Sequence, residues 1–144
     1  MRLAQDGTLL TSIGTEVGGP IRLRQPTDIA VGANGDLFVV NGEGGGVLHL
    51  SPDGAYLNHW AVLPGDTERG PHIVVGPDGS VWVSEPDGRR ISRFTQDGVP
   101  AGVVDQLREG RLLRSPIGIA VGADGTLYVA DGSLRAVLAI GFTR

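Results

Sequence analysis

From Asp28 to Asn41 the chain reads Asp28-Ile-Ala-Val-Gly-Ala-Asn-Gly-Asp-Leu-Phe-Val-Val-Asn41, two short apolar runs around a polar turn that contains glycine. The runs are rich in Val, Ile and Leu, a composition that favours strands, and the turn supplies Gly35 where a positive φ is needed. The same pattern recurs from His72 to Glu85, where Ile73–Gly76 and Val81–Ser84 flank Pro77-Asp-Gly79. There proline presets φ and glycine accepts φ > 0. It recurs again from Gly118 to Asp131. In each copy nearly every strand position is apolar instead of alternating, which predicts an a–b hairpin covered on both faces. A third run, Arg90-Ile-Ser-Arg-Phe-Thr95, alternates better and predicts a strand c; the turn Gln96-Asp-Gly98 and a strand d within Val99–Leu107 follow.

The turn glycines Gly35, Gly79 and Gly125 are offset by 44 and 46 residues, and Leu50, Phe94 and Ile140 of the c strands keep the same offsets. A period in the forties, with four short strands per unit, predicts an all-β fold, a β-propeller with three four-stranded blades in this chain. Leu3 joins the c series, because Arg2-Leu-Ala-Gln-Asp-Gly7 matches Arg93-Phe-Thr-Gln-Asp-Gly98. The chain thus opens in a strand c, continues through a strand d at Thr8–Ile13, and ends after strands a, b and c of its last unit. The boundaries are a partial blade at 1–25, blade one at 26–65, blade two at 70–107 and blade three at 116–144, the last without its outer strand. Propeller rings hold about four to eight blades. Three therefore predict half of a six-bladed ring closed by homodimerisation with strand exchange, or a segment of a longer propeller. The positions expected between blades are Ile29, Val31, Leu37, Val39, Ile73, Val75, Val81, Val83, Ile119, Val121, Leu127 and Val129.

Composition narrows the function classes. With 24 glycines and 9 prolines among 144 residues the chain is punctuated by turns, and its size suits a single domain. It has no cysteine, which removes disulfides and thiolate metal sites. The net charge of −4 argues against a nucleic-acid partner. No apolar run reaches the roughly 18 residues of a membrane span, and Met1-Arg-Leu-Ala lacks the pattern of a secretory signal, so no compartment is predicted.

Candidate chemistry centres on His72, placed where the d-to-a connection would deliver the chain to the central channel. If paired residue numbers in the a–b hairpin sum to about 157, Glu85 stands opposite His72, as Asn41 would opposite Asp28 and Asp131 opposite Gly118. A dimer would bring two copies each of His72 and Asp28 to one channel mouth, and with Glu85 these form an N/O ligand set suited to a divalent ion. The competing reading is a solvated polar mouth with His72 hydrogen-bonded to Glu85 and no cofactor. His49 and His59 fall on strands c and d of blade one, where surface positions are expected. Gly42-Glu-Gly-Gly-Gly46 lacks the Lys-Ser/Thr and the helix of a phosphate loop and reads as a b–c connection. The Asp-Gly pairs are spaced as hairpin turns and not as a calcium loop. Arg108, Glu109, Arg111 and Arg114 read as an exposed charged connection, and no Ser–His–Asp triad is arguable.

Pro116-Ile-Gly-Ile-Ala-Val-Gly-Ala-Asp-Gly-Thr-Leu-Tyr-Val-Ala-Asp131 resembles the NHL repeat, and Gly70–Glu85 with Arg90–Thr95 is similar to the blades of virginiamycin B lyase-type propellers. The resemblance spans Arg2 to about Ile140 and implies the propeller fold. It also implies that a Pro-His dipeptide such as Pro71-His72 can offer an imidazole to a metal or to proton transfer, although no other blade carries one. Blade three has Ala136 where NHL repeats place a polar residue. Two functions are expected from different classes. One is a non-catalytic binding or scaffolding module that pairs with itself and holds a small molecule or protein at the channel mouth. The other is a metal-dependent lyase or lactonase-like enzyme using His72, Glu85 and Asp28.

Overall fold

A computed structural model describes residues 1–14, 18–42, 46–64 and 70–142. Strands β1 (Arg2–Leu3) and β2 (Leu9–Thr11) form a two-stranded hairpin. Blade one is the sheet β3 (Pro26–Val31), β4 (Leu37–Asn41), β5 (Gly46–Leu50) and β6 (Tyr56–Trp60), in that order. Blade two follows with β7 (Ile73–Val75), β8 (Val81–Glu85), β9 (Arg90–Phe94) and β10 (Pro100–Val104). Blade three has only β11 (Pro116–Val121), β12 (Leu127–Asp131) and β13 (Ala136–Ile140). The pairing is antiparallel throughout, and the sole helical element among the described residues is a 3₁₀ turn at Arg108–Gly110. Among the described residues no helix is long and apolar enough to cross a membrane. The Glu43-Gly-Gly45 part of the glycine connection lies outside the described residues, as do Gly65 and the last two positions.

The a–b turns are alike in all three blades. Gly35, Gly79 and Gly125 take φ near +88°, +80° and +83°, a region that favours glycine. Each donates its N–H to the glycine three residues earlier, and Asn34, Asp78 and Asp124 each accept the N–H two residues on. The register beyond the turn differs from expectation by one residue. Val31 faces Leu37 and Ile73 faces Val83, so His72 lies across from Ser84 and not Glu85. In blades one and three a bulge then places Pro26 against Asn41 and Pro116 against Asp131. The Gly76 N–H closes on the Ser80 carbonyl and leaves three residues in the turn, an odd number, whereas a sum of 157 needs an even one.

Packing follows the same two-sided logic. Phe38, Val40 and Val47 of blade one meet Ile73, Val81, Val83 and Phe94 of blade two in one buried cluster. Trp82 and Ile91 of blade two meet Leu127 and Val129 of blade three in a second. β3 touches β7 and β7 touches β11, so the innermost strands stand side by side around the axis. Most of the expected interblade positions are buried or half-buried, but Ile29 and Val31 are 55% and 62% exposed. They lie on the face of blade one turned away from blade two, where no complete blade covers them. Ile13, Ile21, Leu23 and Tyr56 cover only the outer part of that face, over Val39, Leu48 and Leu50. At the other end, Val137 is 75% exposed and β13 has no strand beyond it among the described residues.

Candidate functional site

The d-to-a connection sets Pro71-His72 at the head of β7, next to the head of β3 in the preceding blade. There Asp28 reaches across the blade boundary. Its Oδ2 accepts the backbone N–H of Ile73 at 3.0 Å and stands 3.2 Å from Nδ1 of His72, while Oδ1 accepts the N–H of Ile29 at 2.8 Å. Thr27 Oγ1 donates to the Pro71 carbonyl at 3.0 Å, and Ser84 Oγ donates to the Ile117 carbonyl of blade three at 2.8 Å. Side chains of one blade thus tie down the entry of the next. Both side chains of this pair are about one-third exposed. With Nδ1 turned to the carboxylate, Nε2 is the nitrogen left to meet a ligand.

Glu85 does not join them. It is 1% exposed and is held at the far end of β8: Oε1 accepts Ser92 Oγ and Arg90 Nε, and Oε2 accepts Arg90 Nη2 at 3.1 Å and the Leu63 N–H at 2.8 Å. The equivalent residues do the same work. Asn41 Oδ1 accepts the N–H groups of Arg24 and Gln25, and Asp131 accepts those of Arg114, Ser115 and Leu134. A polar acceptor at the end of strand b therefore clamps the incoming d-to-a connection in every blade, satisfying backbone donors that would otherwise be buried without partners. The sequence carried this signal, since 41, 85 and 131 are equivalent and all can accept hydrogen bonds. Burial opposes ionisation of Asp131, yet the N–H groups of Arg114, Leu134 and Ser115 outweigh it and hold the carboxyl below its usual range.

His49, expected at the surface, is 7% exposed. Its ring stacks on Phe38 with centroids 4.4 Å apart, and its Nε2 lies 2.7 Å from Oδ2 of Asp36. This contact, with one from Asn34, holds the Asp36 carboxyl below its usual range. Blade two repeats the device with other residues: Arg93 lies over the Trp82 ring at 5.2 Å and bonds Asp78 and Ser80. Both clusters brace the a–b turn against strand c. His59 is exposed and meets Tyr56 Oη at 2.6 Å through Nδ1. Arg108, Glu109 and Arg111 are exposed on the connection after β10.

The mouth of one chain therefore offers an imidazole and a carboxylate. Among the described residues no group of three or more His, Asp and Glu side chains gathers as a metal site. One chain by itself thus supplies two donors, fewer than the three or four protein ligands usual for a metal such as zinc. What the pair can do is bind a polar group or accept a proton at Nε2 with Asp28 orienting the ring.

No protein-family model matches the chain. It is homologous to virginiamycin B lyase of Nocardia farcinica (strain IFM 10152), with 36% identity over 108 residues covering 72% of this chain and 34% of that protein. It spans about a third of that relative's length. A streptogramin B lyase structure matches with TM-score 0.61 and 26% identity over 80% of this chain and 37% of the other. A catalytically inactive virginiamycin B lyase from Staphylococcus aureus, a His-to-Ala variant with quinupristin, also matches with TM-score 0.61. Its identity is 20%, over 96% of this chain and 43% of the other, a likeness of fold alone. The fold is a β-propeller.

Proposed function

We propose that this chain is a non-catalytic, ligand-binding half of a six-bladed NHL-type propeller, completed by a second copy, with the Asp28–His72 pair at its channel mouth. The observation that carries the reading is the cross-blade bond set in which Asp28 fixes both the His72 ring and the Ile73 backbone. A site preorganised by two blades at the inner end of their strands suits capture of a small polar ligand, because little ordering remains to be done on binding. Ring completion is supported by apolar faces left open at both ends, Ile29 and Val31 on one and Val137 on the other. Sedimentation equilibrium tests it: a species of twice 15.0 kDa is expected, and a monomer at all accessible concentrations overturns it.

A lyase reading has its own support in the homology to virginiamycin B lyase and in an imidazole with an orienting carboxylate. In that reading His72 Nε2 takes a proton from the substrate, with Asp28 stabilising the imidazolium that forms. Consumption of quinupristin by the wild type and not by His72→Ala, followed by chromatography, would favour it. Saturable binding without consumption favours the non-catalytic reading.

A further inference from the structure

His72 heads β7, and the a–b turn that follows this strand stands at the other end of the blade. There a cleft of about 500 Å³ opens between blades two and three, with Asp78 and Trp82 on one side, Val121 and Asp124 on the other, and Arg93 and Phe142 beside them. Trp82 is only 5% exposed, yet its Nε1 makes no hydrogen bond among the described residues. A Cβ built on Gly76 would stand 3.6 Å from this Nε1 and from Val121 Cγ1, and 2.9 Å from Asp78 Oδ1. The bare glycine therefore keeps the indole N–H open toward groups that line the cleft. A donor so nearly buried is costly unless an acceptor reaches it from outside the chain. We propose that this cleft binds a neutral polyhydroxylated ligand, a saccharide ring, whose hydroxyl groups accept from Trp82 Nε1 and donate to Asp124. The site lies apart from the channel mouth and does not depend on how that mouth is used.

The donors and acceptors around the cleft select this class of ligand. The N–H and hydroxyl of Thr126 hold the Asp124 carboxyl below its usual range, and no cation pairs with it among the described residues. Arg93 engages Ser80 and Asp78 through Nε and Nη2, which leaves Nη1 as a second donor. An anion would meet Trp82 and Arg93 but would face the Asp124 carboxylate. A cation would pair with Asp124 but leave the indole N–H without an acceptor. A hydroxyl both donates and accepts, so a ligand bearing several of them serves both kinds of group without burying a charge. Pro77, Val121 and Phe142 add an apolar wall suited to the C–H face of a sugar ring.

The repeat itself shows which substitutions the fold tolerates. Phe38 of blade one holds the position of Trp82, with His49 stacked on its ring where Arg93 lies over the indole. Asn34 holds the position of Asp124, and its Oδ1 accepts the N–H two residues on in the same way. Trp82→Phe and Asp124→Asn thus each copy a residue that a blade of this chain already accommodates. The first removes the N–H and keeps an aromatic ring; the second removes the charge and keeps the turn.

The test uses the two tryptophans of the chain, Trp60 and Trp82, each of which gives one indole N–H signal in a proton–nitrogen correlation spectrum. D-glucose, D-galactose and D-mannose are the probes, with choline and acetate as cationic and anionic counterparts. A saturable shift of the Trp82 signal with at least one sugar is expected, while the Trp60 signal, whose Nε1 is shut away from solvent, stays in place. By titration calorimetry Trp82→Phe and Asp124→Asn should each weaken binding of that sugar about fivefold, the worth of one hydrogen bond. A Trp82 response to choline or acetate and to no sugar overturns the ligand class. No response to any probe overturns the site, and unchanged affinity in both variants overturns the roles given to Trp82 and Asp124.

Discussion

The Glu85 carboxylate accepts the backbone N–H of Leu63 at 2.8 Å, joining the end of strand b in blade two to the chain leaving blade one. Glu85 also carries Arg90 and Ser92, so it anchors three groups in a place where only 1% of its surface meets solvent. Glu85→Ala leaves these donors without an acceptor. A loss on the order of 2–3 kcal/mol is expected, since a buried partner is orphaned while Arg90 can still reach water. Urea unfolding checks this, and an unchanged midpoint would remove the clamp.

At the channel mouth the two residues should behave differently. Asp28→Ala strips acceptors from the Ile29 and Ile73 N–H groups and should cost about 1–2 kcal/mol. His72→Ala removes one partly exposed ring contact and should cost under about 0.5 kcal/mol. Thermal unfolding of both variants separates them. Equal effects would contradict the assignment of Asp28 as the residue that fixes the junction.

Asp36 and Asp131 have folded-state carboxyl groups held below the ordinary 3.8. A depressed carboxyl stabilises the fold fully above its unfolded value, and that contribution is lost as pH falls through the folded value. Stability should therefore decline below about pH 4 and stay level above it as far as these groups are concerned. Asp131→Asn should flatten that acid decline in urea midpoints measured across it. An equally steep decline in the variant would show that Asp131 takes no part.

Phe38 is fully buried between the stacked His49 ring and Trp60, whose centroid is 6.2 Å away. Phe38→Ala opens a cavity at the junction of blades one and two and should cost about 3–5 kcal/mol. Tyr128→Ala, at the equivalent position on the open face of blade three, should cost far less in the separated chain. Comparable losses would mean that Tyr128 is covered in solution, as ring completion requires.

Deleting residues 1–13 removes β1 and β2 together. The shortened chain should sediment as a monomer, because no strand d remains for the edge of β13. Retention of the full-length mass would show that the N-terminal hairpin is dispensable for assembly.

The sequence by itself determined the repeat, and with it the a–b hairpins, the glycine turns and the kinship of Arg2–Gly7 with strand c, since local turn geometry and strand patterning are written in neighbouring residues. It also placed Asp28 and His72 at corresponding inner positions. Tertiary structure decided the rest. A register one residue from the expected one moved Ser84, and not Glu85, across from His72, because pairing depends on how tightly the turn closes. Stacking order decided that Ile29 and Val31 face outward although Ile73 and Val75, with the same pattern, face a neighbour; a strand's residues alone do not say which blade lies beside it. His49 became buried for a similar reason: Asp36 and Phe38, thirteen and eleven residues away in the chain, are brought to it only when β4 and β5 pair.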